Sequence, residues 1–281
     1  MKVVLVHGLG RTRLSLLLLA HRLSETGHTP ELFPYSALTE AHDRIVCRLA
    51  GRLRCLAAQG DEVGLVGHSF GGLLLREAIP AVPGLQVKHL VMLATPNRQP
   101  RLAARVYTTV PFRILRGSCG QCLADSFWFR SLPRLSVPYT LVAGTGGWRG
   151  RLSPFEGEPN DGALAVSETL LNDNDRPVLV PALHTFIMNR RSVCRLISER
   201  FGGGQHPLPV SPPGRVEACA QEQRAEPEAS PNGGPAVRSR NSGVSERLGS
   251  LQQALLHPAA LGVVLELAHG GLPDIPVGQA A

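Results

Sequence analysis

The stretch Gly67-His68-Ser69-Phe70-Gly71-Gly72 decides how this chain is organised. It follows an apolar run at residues 63–66 and precedes a helix-forming run at residues 73–79. A strand, a sharp turn and a helix, in that order, can hold a serine hydroxyl above the end of a sheet. The flanking glycines leave room for such a turn because they have no Cβ to collide with the neighbouring strand or helix. We therefore predict a strand–turn–helix unit with Ser69 at its apex, and a glycine-rich turn with an incidental serine is the alternative.

Strands and helices alternate on both sides of this unit. Continuous apolar runs predict strands at residues 2–6, 31–36, 63–66, 87–93, 139–143 and 178–180. Helical spacing of leucine and isoleucine predicts helices at residues 14–23, 39–58, 73–79 and 191–200, the first of them largely buried. Alternation of this kind predicts an α/β fold with a mostly parallel sheet and helices on both faces. Active sites in such sheets lie at the carboxyl ends of the strands, where residues 7–10, 67–72, 94–97, 144–162 and 181–186 fall.

Ser69 needs a general base to become a nucleophile, because a serine hydroxyl is weakly reactive by itself. In this architecture the order along the chain is serine, then a carboxylate, then histidine. His184 follows the last predicted strand and is the candidate base. His7 and His68 are better explained as structural, although either can line the site, and we keep His68 as a candidate substrate contact.

The candidate carboxylate follows the strand at residues 139–143. Asp161 precedes Gly162, and a tight turn at this pair can direct a carboxylate at the histidine. An Asx turn or a helix cap is the alternative explanation for Asp161. The other candidates are Glu156, Glu158, Glu168, Asp173 and Asp175, the last two in a polar loop that suggests exposure to solvent.

Two backbone N–H groups are expected to stabilise the developing oxyanion. One belongs to Phe70, directly after the serine. The other comes from the loop after the first strand, where Leu9 is the best position and Gly10 the second choice.

Two segments interrupt the alternation. Residues 98–136 form a long excursion that is rich in aromatic residues, which suggests a lid or cap with Phe127 and Trp128 as candidate substrate contacts. Simple packing of these aromatics is the equal alternative. Residues 202–281 are rich in Pro, Gly, Ser and Glu, which predicts a largely disordered tail after a catalytic domain at residues 1–201.

Composition narrows the classes of partner. The formal net charge is +7, but the basic residues are scattered and all but two of the 29 are arginines. We therefore expect no nucleic-acid partner, while peripheral contact with an anionic membrane stays possible. Cys119 and Cys122 form a lone C-x-x-C, which predicts ordinary thiols rather than a metal site or a disulfide. No secretory signal or membrane-spanning run is recognisable, so we expect a cytoplasmic protein.

Together the motifs at residues 7–10, 67–71, 161–162 and 184–186 resemble the α/β-hydrolase superfamily. More narrowly, they resemble small bacterial lipases and esterases of the triacylglycerol-lipase type and the hydrolase domain of inositol-deacylase-like proteins. The resemblance covers about residues 2–201. It implies an α/β-hydrolase fold in a minimal version, hydrolysis of a small-molecule or lipid ester through a serine acyl-enzyme, no cofactor and no metal.

Three functions fit these residues. The first is a serine esterase or lipase. The second keeps the same three side chains but acts as a thioesterase, amidase or acyltransferase. The third is a hydrolase-like binding protein without turnover, which has no need of a complete Ser69, Asp161 and His184 set. The acyl chain, the head group and the oligomeric state stay open.

Overall fold

Six parallel strands form one sheet in the part of the chain that the computed structural model describes, residues 1–106, 117–150 and 153–202. Their order across the sheet is β2-β1-β3-β4-β5-β6, and every neighbouring pair is parallel. The strands are Lys2–Val6 (β1), Thr29–Phe33 (β2), Val63–His68 (β3), Val87–Leu93 (β4), Tyr139–Gly144 (β5) and Val178–Val180 (β6).

Helices connect these strands as predicted. The α-helices are Leu17–Glu25 (α1), His42–Ala57 (α2), Phe70–Ala78 (α3), Arg101–Val106 (α4), Gly117–Ala124 (α5), Ser126–Ser131 (α6) and Arg191–Arg200 (α7). Short 3₁₀ turns lie at Arg13–Leu16, Ile79–Ala81, Val166–Thr169 and His184–Asn189. The predicted second strand lies two to three residues earlier than expected, because Pro34 and the residues after it leave the sheet.

The core lies on both faces of the sheet. Along β1, Val4 and Val6 pack with residues of α2 and α3, whereas Val3 and Leu5 pack with residues of α1 and α7. Successive side chains of a strand point to opposite faces, so one buried strand contributes to both halves of the core. This arrangement confirms the predicted α/β class with helices on both faces.

The first helix differs from the prediction. Leu16, Leu19 and Leu23 are fully buried, as expected. Leu14, Leu17 and Leu18, however, are 42–63 % exposed, so the expectation of a largely buried segment is wrong. Leucine on most faces of a helix gives no information about which faces a neighbour covers.

Three helices, α4 to α6, lie in the predicted excursion at residues 98–136, of which residues 107–116 fall outside the described residues. Their lid role and the domain boundary at residue 201 stay predictions, and the predicted disordered tail lies outside the described residues from position 203 onward. Among the helices in the described ranges, none is long and apolar enough to cross a membrane. The cytoplasmic location also stays a prediction.

Candidate active site

Ser69 occupies the turn between β3 and α3 in a strained backbone conformation. Its φ of 53° and ψ of −123° lie in a region that residues with a side chain rarely adopt. Strain of this kind costs on the order of 1–3 kcal/mol and persists only where the surroundings enforce it. The Ser69 N–H donates to the Leu93 carbonyl at 2.8 Å, and the Ser69 carbonyl accepts from the Gly72 N–H at 3.0 Å. The serine is half-buried, so its hydroxyl stays within reach of a ligand.

Two glycines allow other segments to approach this turn. A Cβ on Gly71 would overlap the carbonyl oxygens of Val6 and His7 at the end of β1. A Cβ on Gly8 would come within 3.0 Å of the Ser69 Cβ. The loop after β1 therefore lies directly against the serine.

His184 begins the 3₁₀ turn after β6 and reaches across the sheet to Ser69. Its Nε2 lies 3.0 Å from the Ser69 Oγ, and its Nδ1 lies 2.7 Å from the Asp161 Oδ2. A carboxylate only accepts hydrogen bonds, so Nδ1–H donates to Asp161 and the neutral ring presents Nε2 as an acceptor to the serine hydroxyl. The backbone N–H of His184 also donates to the Asp161 carbonyl at 2.9 Å, which fixes the two residues to each other.

Asp161 is almost fully buried and uses its two oxygens differently. Oδ1 accepts from the N–H groups of Ala163 at 2.9 Å and Leu164 at 2.7 Å, which is an Asx-type turn. Oδ2 faces His184. Gly162 has a φ of 91° and lets the chain reverse between the two sets of contacts. Asp161 therefore makes the contacts of an Asx turn through one oxygen and contacts His184 through the other, while its catalytic role stays a prediction.

Four of the five rival carboxylates have other partners. Glu158 and Glu168 both bind Arg101, at 2.6 Å through Nη2 and 2.9 Å through Nε. The Arg101 N–H donates to the same Glu168 oxygen at 2.8 Å. Asp173 pairs with Arg98 at 2.5 Å on the surface. Asp175 caps its own loop by accepting from the N–H groups of Leu171 and Asn172.

Arg101 thus fastens the start of α4 to both ends of the loop that carries Asp161. Glu168 closes that loop by accepting from the Ala165 N–H at 2.9 Å, and Glu158 accepts from the Ser167 N–H at 2.9 Å. No local pattern indicates this cluster, because its partners lie 57 and 67 residues from the arginine.

The two predicted oxyanion donors lie on the loop after β1 and at the start of α3. The Arg11 N–H donates to the Gly8 carbonyl at 3.3 Å, which closes a turn around Leu9 and Gly10. Phe70 is the first residue of α3, and the N–H groups of a first helical turn have no partner inside the helix. The predicted oxyanion donors therefore lie on the two segments that flank Ser69.

His68 contacts the backbone of His184. It is buried, and its Nε2–H donates to the His184 carbonyl at 3.0 Å. Burial, together with the nearby His184 ring, holds the pKa of His68 well below its usual value, so the ring stays neutral. His7 is also buried and stacks on Tyr35 with ring centroids 4.0 Å apart, as expected for a structural residue. The substrate contact suggested for His68 stays a prediction.

The two aromatic candidates are adjacent in the chain but have different surroundings. Phe127 is 76 % exposed and carries the Arg130 guanidinium over its ring at 4.4 Å. Trp128 stacks on Phe70 with centroids 6.2 Å apart and packs edge-on against His42. Their roles in substrate binding stay predictions.

His42 is a second residue that sequence reasoning missed. Its Nε2 lies 2.7 Å from Glu77 on α3, and its Nδ1 lies 2.9 Å from Asp43. Trp128 donates its indole N–H to the same Glu77 at 3.3 Å. Burial alone would lower the pKa of His42, but the hydrogen bonds and charges of Glu77 and Asp43 raise it. This cluster joins α2, α3 and the excursion behind Phe70.

The described residues show neither a disulfide at the C-x-x-C pair nor a cluster of metal ligands. Cys119 and Cys122 are both free thiols, and burial raises the pKa of Cys119 to about 11 and of Cys122 to about 12. Across residues 1–106, 117–150 and 153–202, no three His, Cys, Asp or Glu side chains come together as a metal site would require.

The family of the chain follows from its sequence as well as from this geometry. Residues 3–218 match the model of the alpha/beta hydrolase family, and the chain belongs to that family. The superfamily that the motifs suggested is thereby confirmed. None of the curated proteins matches the chain.

Solved structures with the same fold include three with different activities in their names. The mature lipase BlEst2 of Bacillus licheniformis is 20 % identical and has a TM-score of 0.54, with 71 % of this chain and 91 % of the lipase covered. The type II thioesterase BorB from the borrelidin biosynthetic cluster is 16 % identical at a TM-score of 0.50, covering 71 % and 90 %. Phospholipase PlaB of Legionella pneumophila, in complex with thio-NAD, is 18 % identical at 0.50, covering 61 % and 44 %. At such identities the similarity establishes the fold alone.

Proposed function

We propose that this chain is a serine hydrolase that cleaves carboxylic esters of a lipid or small molecule through an acyl-enzyme on Ser69. One observation carries the proposal. His184 lies within hydrogen-bond distance of the Ser69 hydroxyl on one side and of the buried Asp161 carboxylate on the other. A nucleophile, a base and a group that orients the base, in that order, are the arrangement required for acyl transfer.

The reaction begins when His184 Nε2 takes the Ser69 proton as Oγ attacks the ester carbonyl. Asp161 stabilises the resulting imidazolium through the 2.7 Å contact to Nδ1. The imidazolium then gives its proton to the leaving alcohol, and the acyl group remains on Ser69. A water molecule, activated by the same histidine, attacks the acyl-enzyme and releases the acid.

The tetrahedral intermediates place a negative charge beside Ser69. The N–H groups of Phe70 and Leu9 are the proposed donors to this oxyanion. Phe70 supplies the free N–H of a helix start, where the helix dipole also favours an anion. One donor of this type contributes roughly 10²–10³ in rate.

Replacing Ser69 with alanine tests the proposal. We expect Ser69→Ala to lower the hydrolysis of p-nitrophenyl butyrate by at least about 10³-fold, because the nucleophile is gone. Ser24→Ala is the matched control, since Ser24 lies on the exposed side of α1 and donates only to the Ala20 carbonyl. Hydrolysis that survives in Ser69→Ala would refute the proposal.

Two further measurements separate the alternatives. A fluorophosphonate probe labels a nucleophilic serine in the wild type and leaves Ser69→Ala unlabelled. Absence of labelling in the folded wild type would favour a binding protein. The value of kcat/KM is then measured for oxygen esters, acyl thioesters and amides of equal chain length. A higher value for the thioester or the amide would contradict the ester proposal and favour a thioesterase or an amidase.

A further inference from the structure

The first helix carries two apolar faces. One packs into the core through Leu16, Leu19 and Leu23. The other presents Leu14, Leu17 and Leu18, which follow the i, i+3, i+4 spacing of one helix face and are exposed. Single exposed leucines are common on proteins, but a contiguous exposed group marks an interaction surface.

The segment that carries His184 packs against the same helix. Helix α1 packs against the His184–Asn189 turn, and the Arg22 Nη1 donates to the Asn189 carbonyl at 2.6 Å. Leu183 and Phe186 flank His184 and are exposed in the same 42–63 % range. The Gly146 N–H donates to the Ala182 carbonyl at 3.0 Å, so the loop after β5, which carries the exposed Trp148, contacts the segment that carries Leu183. We name these residues the apolar rim: Leu14, Leu17, Leu18, Trp148, Leu183 and Phe186.

Basic residues outnumber acidic ones in the segments that carry the rim. Residues 7–25 contain three arginines and one carboxylate, Glu25, and residues 181–200 contain four arginines and one carboxylate, Glu199. Arg149 follows Trp148 directly. Exposed leucine, phenylalanine and tryptophan bordered by arginine suit an interface whose apolar layer lies under anionic head groups.

We propose that the apolar rim docks this protein on an anionic phospholipid surface, with Ser69 and His184 facing the lipid. A second copy of the chain is a poorer occupant. A symmetric dimer places the same patch against itself, so the arginines of both copies would meet with too few carboxylates in these segments to offset them. The inference goes beyond ester hydrolysis, because docking requires no turnover.

Vesicle co-sedimentation of the full-length chain tests the docking. Vesicles contain phosphatidylcholine alone or with phosphatidylglycerol in a roughly 7:3 ratio, which supplies the negative surface. All variants also carry Ser69→Ala, so that binding is measured without hydrolysis and a failure of docking is distinct from a failure of the proposed reaction. We expect binding to the mixed vesicles, and weaker binding to phosphatidylcholine alone.

The double variant Leu17→Ser/Leu18→Ser removes two half-exposed leucines and is expected to lower the partition constant roughly tenfold to a hundredfold. Leu179→Ser is the matched control, because Leu179 is 55 % exposed on β6 and lies outside the rim. A second variant, Arg13→Gln/Arg191→Gln, leaves the leucines intact and is expected to weaken binding to the mixed vesicles only. Thermal unfolding of each variant confirms that it is folded.

Three outcomes would overturn the inference. The first is a folded wild-type chain that does not sediment with the mixed vesicles. The second is equal loss in the leucine double variant and in Leu179→Ser. The third is a wild-type chain that light scattering shows to be a dimer and a leucine double variant that it shows to be a monomer, neither of which binds lipid.

Discussion

Asp161→Asn changes one atom of the site and separates the two tasks of this side chain. In the native chain Oδ1 accepts two backbone N–H bonds and Oδ2 accepts the His184 Nδ1–H. Asparagine has only one oxygen. Turning that oxygen to His184 would point an NH₂ group at the N–H groups of Ala163 and Leu164, so we expect the oxygen to stay with the turn and the NH₂ group to face the histidine.

The consequence for catalysis follows from this orientation. An NH₂ group donates, so His184 must become an acceptor at Nδ1 and carry its proton on Nε2. The ring then presents a donor to Ser69 and cannot take its proton. In serine proteases the corresponding change lowers kcat by about 10⁴, or roughly 5.5 kcal/mol of transition-state stabilisation. We expect a loss of about 10³–10⁴-fold in kcat, with little change in KM.

Steady-state hydrolysis of p-nitrophenyl butyrate measures this loss. Asp175→Asn is the matched control, because Asp175 also accepts two backbone N–H bonds but contacts no histidine in the described residues. We expect that control to keep wild-type kcat. The reasoning would be refuted if folded Asp161→Asn kept more than about a tenth of wild-type kcat, since a reversed tautomer leaves no base.

Three further predictions test the support of the site. Arg101→Gln should lower the free energy of unfolding in urea by about 1–3 kcal/mol, because the buried Glu168 carboxylate keeps its backbone hydrogen bonds but loses its charged partner. The partial exposure of the arginine reduces the loss. Arg98→Gln, which breaks a surface pair, should stay within about 1 kcal/mol of the wild type, and equal losses would contradict the difference. His42→Gln should lower the melting temperature most below pH 6.5. Folding raises the pKa of His42, so its contribution to stability is complete below that pH. The difference in melting temperature between variant and wild type should narrow as pH rises through the folded-state pKa. A difference in melting temperature that widens as pH rises would contradict this prediction. Gly71→Ala should cost about 3 kcal/mol or more, or prevent folding, because its Cβ meets two carbonyl oxygens. Gly51→Ala in α2, with open space around it, should leave stability unchanged or raise it by up to about 1 kcal/mol, as circular dichroism melts can show.

Local patterns predicted the framework of the molecule well. Strands β1, β4 and β6 begin and end at the residues that the apolar runs indicated, and α7 matches its predicted bounds. These elements obey short-range rules, since a buried parallel strand needs a continuous apolar run and a helix needs one apolar face. The parallel direction of neighbouring strands also followed, because parallel neighbours are joined by crossover connections such as the helices between them.

Long-range contacts decided what those patterns could not. Six carboxylates follow β5 in the sequence, and the glycine after Asp161 favours that residue without excluding Glu158 or Glu168. The tertiary structure distinguishes them, because Arg101 from the excursion forms ion pairs with both glutamates, whereas Asp161 contacts His184.

The sequence by itself determined the class of fold, the position of Ser69 at a strained turn, and the chain order of serine, aspartate and histidine. The tertiary structure decided which carboxylate lies against His184 and which leucines of α1 stay exposed. Sequence periodicity indicates that a helix face is apolar. Whether that face is buried depends on which neighbouring element packs against it in the folded protein. A hydrogen bond between residues 115 positions apart, such as that of Ser69 and His184, likewise depends on the packed sheet that brings its two ends together.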